Sequence, residues 1–384
     1  MRTICAAVAL FLAIDASPLQ ISKSGKGAFE ASLTSIGNQL VAAWYDTRDG
    51  HPEIYMRLLD ERGRPAGPER RITHGADADH AYEPDVATVN TDVAIAWYEQ
   101  NQTTKHYRAR LALVTRGGRT LWTRMLSSET RDGKGPVVRV ANGEIVVAWL
   151  EGERGQPPHV MAQWFDLKGR PLAPAADVAA AGKTTWNLNA AVDVRGRVTL
   201  VFDATTGTKA DELFLAHLDK ASNPVTRLTA DDGKPSKYPD IAFSGSRAAL
   251  SWQDERDGNE EVYLFIAPAA DVPQGFETKA TRITDTPGAS IGAYLTWNGD
   301  VLGLAWCDNS TNRQHEVYLA EFNADGSLHA ATRRLTENPS DSLIPAIQPW
   351  KDGFALVWNE FVPGKAGGHG DDGRSEVWSA WVPR

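Results

Sequence analysis

Ala43-Trp44-Tyr45-Asp46-Thr47-Arg48-Asp49-Gly50, followed by Glu53-Ile54-Tyr55, returns later as Ser251-Trp252-Gln253-Asp254-Glu255-Arg256-Asp257-Gly258 with Glu261-Val262-Tyr263. Weaker copies fill the chain between and after these two. Anchoring on the carboxylate behind the aromatic gives Asp46, Glu99, Glu151, Asp203, Asp254, Asp308 and Glu360, at steps of 53, 52, 52, 51, 54 and 52 residues. A strand-like unit repeating at about fifty residues marks a propeller blade. The expected fold is therefore all-β: a seven-bladed β-propeller with four antiparallel strands per blade.

Working outward, each anchor is preceded by a continuous small-and-apolar run, such as Leu40-Val41-Ala42-Ala43-Trp44 and Val93-Ala94-Ile95-Ala96-Trp97. Such runs suit strands covered on both faces by neighbouring sheets. Trp ends six of the seven runs and Val201 ends the other, so the indoles are expected to fill space between blades. Pro84, Pro136, Pro239 and Pro345 each stand 13 residues before their Trp. Since Pro cannot donate to a ladder, these positions are expected at the start or edge of the innermost strand. Third strands open Glu-apolar-aromatic, as in Glu53-Ile54-Tyr55, and outer strands read Arg-apolar-Thr, as in Arg71-Ile72-Thr73.

Length alone, 384 residues, would suggest two or three domains, but stacked blades share one ring and count as one. The sequence ends just after a third strand, and Pro18-Leu19-Gln20-Ile21-Ser22 matches the outer-strand pattern. Residues 17–24 are therefore expected to close blade 7, within a single domain over 17–384. Before it, the apolar run Ile4–Ile14 behind Arg2 is too short to span a bilayer. It fits a signal peptide over 1–16, which would place the protein in the periplasm or outside the cell. Cys307 would then be the one cysteine left, so no disulfide within the chain is expected. A net charge of −9 disfavours nucleic acid and anionic membrane surfaces, and no membrane insertion is expected.

The run Arg-Leu-Thr, Tyr-Pro-Asp-Ile-Ala, Trp-x-Asp-x-Arg-Asp-Gly and Glu-Val-Tyr resembles bacterial secreted β-propellers of the TolB-type and BNR/sialidase-like repeat superfamilies. The resemblance covers about residues 18 to 382. It implies a propeller presenting loops to a partner. No Asp-box turn of the form Ser-x-Asp-x-Gly-x-Thr-Trp occurs, and no catalytic set carries over.

Asp-x-Arg-Asp-Gly reads first as a turn whose Asp accepts its own amides and pairs with the Arg. The Arg and second Asp, present in two blades only, leave room for a ligand role. The residues expected to bind are those that differ from blade to blade on the face of the outer-to-inner and second-to-third strand loops: Asp77, His80, Tyr82, Asp85, Trp186, Tyr238, Asp240 and Tyr294. Aromatics beside carboxylates stack and hydrogen-bond sugars or extended peptides. The Gly-rich insertion 361–375, with one His and two Asp, is too poor in ligands for a transition metal and reads as a loop. The expectation is an exported, monomeric binding module for a glycan or protein partner, with no catalytic residue, metal or cofactor assigned. The alternative is a sialidase-like glycoside hydrolase or lyase using Asp85 and Asp240 at the channel mouth.

Overall fold

The computed structural model describes residues 17–75, 79–180, 187–205, 210–273, 276–311, 313–361 and 374–384. The proposed signal segment lies outside them. The described chain forms seven four-stranded antiparallel sheets, and each innermost strand packs beside the next, with the seventh beside the first. Blade 1 comprises Ala28–Ile36, Gln39–Asp46, Glu53–Leu59 and Arg70–Arg71. Blades 2 to 6 repeat this order along the chain.

Blade 7 is built from both ends of the described chain. Its strands Ser342–Trp350, Gly353–Phe361 and Ser375–Pro383 are joined by Leu19–Gln20, with Leu19 opposite Ser379 and Gln20 opposite Trp378. In this closing segment Ile21 is buried, whereas Leu19 faces solvent. Closure removes an open sheet edge.

Two side-chain devices explain the repeated motifs. In the first, the carboxylate two residues after the indole accepts its N–H: Trp44 to Asp46 (3.0 Å), Trp97 to Glu99 (3.1 Å), Trp149 to Glu151 (2.8 Å) and Trp252 to Asp254 (2.9 Å). Trp44, Trp149, Trp252 and Trp358 are fully buried, so an unpaired indole N–H there would be costly. In the second, the Glu opening the third strand meets the Thr and Arg of the outer strand. Thr73 donates to Glu53 and accepts the Ile54 amide, while Arg71 bonds Glu53 at 2.5 Å. The set recurs as Glu212–Thr229–Arg227, Glu261–Thr284–Arg282 and Glu316–Thr336–Arg334. Ser22 plays the Thr part in blade 7, donating to Glu376 and accepting the Val377 amide.

Blade 4 departs from the count made on sequence. Its inner hairpin turns through Val194-Arg195-Gly196, one residue longer than the Asn90-Thr91 turn of blade 2. The second strand is thereby shifted by one, and Phe202, opposite Phe214, takes the place of the indole. Phe202 is 1% exposed and stacks on Phe214 at 5.5 Å, so the aromatic column is complete in all seven blades, not six. Ala204, opposite Glu212, stands where the other blades carry the carboxylate. Asp203 therefore is no seventh copy of Asp46; the alternation of a strand turns it to the other face.

Candidate binding face at the channel mouth

The proline positions are not strand starts, but they do lie on the innermost strands, which are edges of their sheets. Pro84, Pro136, Pro239 and Pro345 sit inside the innermost strands, each at a break in pairing register. Among the described residues such a bulge interrupts the innermost strand of six blades. The first bulge residue is left-handed in all six: Glu30 (φ 51°), Glu83 (φ 48°), Gly135 (φ 52°), Tyr238 (φ 53°), Gly292 (φ 62°) and Ile344 (φ 56°). This conformation is costly for any residue with a Cβ, and most of all for β-branched Ile344. The following Pro, where present, further disfavours it. A repeated strained bulge re-aims a side chain, and strain of this kind gathers at functional positions. In blades 1 and 2 the re-aimed residue is a Glu.

Beside these two glutamates the aromatic rings run together. Phe29 stacks on Tyr45 (5.2 Å between centroids), Tyr45 meets Tyr82 edge-on (5.3 Å), Tyr82 stacks on Tyr98 (5.5 Å), and Tyr98 meets Tyr107 edge-on (5.8 Å). His80 stacks on His51 at 5.7 Å, with its Nδ1 3.3 Å from the Tyr82 hydroxyl. The Lys134 ammonium lies 3.6 Å over the Tyr107 ring. Tyr98 donates to the exposed Glu83 carboxylate at 2.8 Å. Burial, then the charges of Glu83 and Glu30, push the Tyr98 phenol well above its ordinary range, so it stays protonated and acts as a donor.

Six of the eight residues expected to bind lie within the described chain, and the structure does not bring them to one place. His80 and Tyr82 belong to the aromatic run. Tyr238, Asp240 and Tyr294 form a second group on blades 5 and 6. Burial is the main cause of the raised Tyr294 phenol, followed by Asp240, Tyr238 and Glu30. Glu30 thus acts electrostatically on both groups. Asp77 and Trp186 lie outside the described residues, as does most of the 361–375 insertion.

Asp85 and Asp240 join inner strands across blade boundaries. Asp85 accepts the Val138 amide (2.7 Å) and pairs with Arg139 (2.8 Å), while Ser32 donates to its other oxygen (3.2 Å). Asp240 accepts the amides of Ile241 and Leu295, both at 2.9 Å; burial pushes its carboxyl up to about 6. Asp203, displaced by the slip in blade 4, accepts the Tyr238 amide at 3.0 Å and so fixes that bulge from the neighbouring blade.

The Asp-x-Arg-Asp-Gly turns are occupied by their own blades. Arg48 bonds Asp46 and Glu69, each at 2.5 Å, and lies 4.4 Å over the Tyr55 ring, whose hydroxyl donates to Asp49. Arg256, Tyr263 and Asp257 repeat the arrangement in blade 5. The Arg and second Asp recur only twice because only blades 1 and 5 build this set. Among the described residues, no three His, Cys, Asp or Glu side chains are placed to hold a metal ion. No helix among them is long and apolar enough to cross a membrane.

No family model and no curated protein matches the sequence. Among solved structures the chain is similar to phage phi92 endosialidase, at 10% identity and a TM-score of 0.53, covering 96% of this chain and 69% of that one. It is also similar to the GH93 α-L-arabinofuranosidase of Fusarium graminearum in complex with arabinobiose, at 11% identity and a TM-score of 0.54, covering 96% and 97%. These likenesses are of fold: the chain is a seven-bladed β-propeller whose structural neighbours include glycoside-processing propellers. The TolB-type and BNR assignments are finer than they reach.

Glu30, Glu83, Tyr98, Tyr107 and Lys134 were not singled out from sequence. A usable signal existed, since Glu83 immediately precedes the Pro that recurs at fixed distance from the Trp.

Proposed function

We propose that this protein is an exported carbohydrate-binding propeller that takes its ligand on the mouth face of blades 1 to 3. The carrying observation is the part-exposed end of the ring run, Tyr82, Tyr98 and Tyr107, in front of the buried Phe29 and Tyr45 and beside two glutamates held left-handed at a strained, repeated bulge. Tyrosine faces stack on sugar rings, and carboxylates and phenols read hydroxyl groups. The endosialidase and the arabinofuranosidase, both propellers that act on glycosides, support the sugar class.

Binding is preferred to catalysis for two chemical reasons. The carboxylates of the alternative reading, Asp85 and Asp240, already accept backbone amides that tie blades together. The Tyr98 phenol, though paired with a carboxylate, is pushed away from the phenolate that a nucleophile needs.

A glycan array with a parallel reducing-sugar assay tests the reading. Tyr107→Ala with Glu83→Gln should weaken retention of any bound glycan at least tenfold, about 1.4 kcal/mol, with no reducing ends released by the parent. Reducing-end release that disappears in Glu83→Gln would make the protein an enzyme instead. Unchanged retention in the double variant would remove the mouth as the site.

A further inference from the structure

A cleft of about 350 Å³ opens between blades 1 and 2. Its floor includes Ile72, Ala112 and the buried Trp97; its polar lining includes His74, Asp79, Thr120, Thr123 and the Glu99–Arg110 pair. The volume falls within the range of small-molecule sites.

The cleft arises from a local exchange in the blade pattern. Facing the indole across the third strand, five blades place an aromatic: Tyr55, Phe214, Tyr263, Tyr318 and Trp378. Blade 2 places Arg110 there. In blades 1 and 5 the carboxylate takes its arginine from the following loop, and that arginine covers the tyrosine. Blade 2 carries Gln100 and Asn101 at the two positions after its carboxylate, still within the strand, so Arg110 supplies the charge from the third strand. It reaches Glu99 through Nε alone, at 2.9 Å. Both Nη nitrogens then have no hydrogen-bond partner among the described residues, and neither do the hydroxyls of Thr120 and Thr123. Strand structure does not require this, because blades 1 and 5 neutralise the same carboxylate with no free donors on the third strand.

We propose that the cleft is a second ligand site, taking one uncharged sugar residue, free or at the end of a glycan. Its lining offers solvent-facing donors, the Arg110 guanidinium and the Thr120 and Thr123 hydroxyls. Asp79 lines it as an acceptor, and Ile72 and Ala112 give one apolar wall. Asp79, Glu99 and Arg110 sum to one negative charge, which disfavours acidic sugars and phosphates. A polyhydroxy ligand matches such a mixed donor and acceptor lining, since each of its hydroxyls can both give and take a hydrogen bond. The site does not depend on the mouth reading. Trp97 and Ile72 share one buried cluster with Phe29 and Tyr45 of the aromatic run, whereas Arg110, Thr120 and Thr123 stand on the third and outer strands of blade 2.

Ligand-observed NMR titrations with glucose, galactose, mannose, xylose and arabinose, their methyl glycosides, and glucuronate provide the test. At least one neutral sugar should bind the parent, and binding should fall at least tenfold in Arg110→Tyr, which restores the aromatic used by other blades. The isosteric pair Thr120→Val and Thr123→Val, on an exposed strand, should do the same without touching the Glu99 pair. Because the mouth is itself proposed to hold a glycan, the cleft is read in Tyr107→Ala with Glu83→Gln, where a neutral sugar should still bind and should be lost when either cleft change is added. Equal binding of free sugar and methyl glycoside supports a chain end as ligand, and loss on methylation supports a free sugar. No binding by any neutral sugar, binding retained when the cleft changes are added to the mouth variant, loss in the mouth variant, or glucuronate binding more tightly than the neutral sugars would each overturn the proposal.

Discussion

Ser22→Ala probes ring closure at a single atom. The Ser22 hydroxyl donates to Glu376 and accepts the Val377 amide at 2.8 Å, and the residue is fully buried. Losing the acceptor leaves a buried N–H without a partner, at about 1–3 kcal/mol. Losing the donor removes one hydrogen bond to a charged group, about 1.5–3 kcal/mol. The second cost is moderated, because the amides of Ser24 (3.0 Å) and Gly25 (2.8 Å) still reach Glu376. A net loss of about 2–4 kcal/mol is expected. Ser22→Thr is the control, because Thr73, Thr229, Thr284 and Thr336 do the same work in other blades. It keeps both hydrogen bonds, so it should unfold nearer the parental midpoint than Ser22→Ala does. Equilibrium urea unfolding, followed by tryptophan fluorescence, reads both. If Ser22→Ala unfolds at the parental midpoint with the same slope, the N-terminal strand does not hold blade 7 in solution and the closure argument fails.

Two further outcomes are expected. Trp252→Ala should cost about 3–5 kcal/mol, because the indole is fully buried against Tyr263 and Phe276 and bonds Asp254; an unchanged urea midpoint would place it outside the core. Stability should also peak at mildly acidic pH. Burial pushes Glu212 up to about 7 and Asp240 up to about 6, above ordinary values of 4.5 and 3.8. The stability they contribute is fully present below those ordinary values and is lost as pH rises through 6 and 7. Asp254 and Asp308 are held low by hydrogen bonds that overcome their burial, so their contribution is lost as the solution becomes strongly acid. Melting temperature should therefore be higher near about pH 5.5 than near about pH 8, and Glu212→Gln should flatten the difference. A profile that instead rises steadily to about pH 8 would contradict these environments.

The fold was legible because each blade must solve the same packing problem with the same residue types. The Trp-x-carboxylate and Glu…Arg-x-Thr motifs are hydrogen-bonded units whose members depend on one another, so they recur along the chain with few exchanges, such as Ser22 for Thr in blade 7. Blade 4 was misread by one position because Asp203 occurs where the count wanted a carboxylate, and spacing alone cannot see a turn lengthened by one residue. The mouth was harder. Asp85 and Asp240 vary between blades, yet their variation hides a structural task, namely bonding the next inner strand. Glu30 and Glu83 owe their positions to a backbone conformation that no side-chain pattern spells out. Only the recurrent Pro hinted at the bulge, and blades 1 and 6 make the bulge without it, at Glu30-Ala31 and Gly292-Ala293.

The closing strand also sets a timetable for synthesis. Ser22 and Glu376 are separated by 354 positions, so the first strand leaves the ribosome long before its partner exists. At roughly 5–20 residues per second the wait is about 20–70 s. Throughout it Ile21 has no blade to enter, and six blades can assemble on contacts between neighbours while the seventh lacks its partner. When Ser375–Pro383 finally emerges, it exposes an unpaired edge that its own N-terminal strand or that of another chain can fill. Bringing the ends of so long a loop together costs about 3 kcal/mol more than closing a ten-residue hairpin. That entropic cost is the same for every ring, whereas capture by another chain grows with concentration. Dilution during refolding should therefore favour closed monomers, and crowded expression should favour chains linked through blade 7.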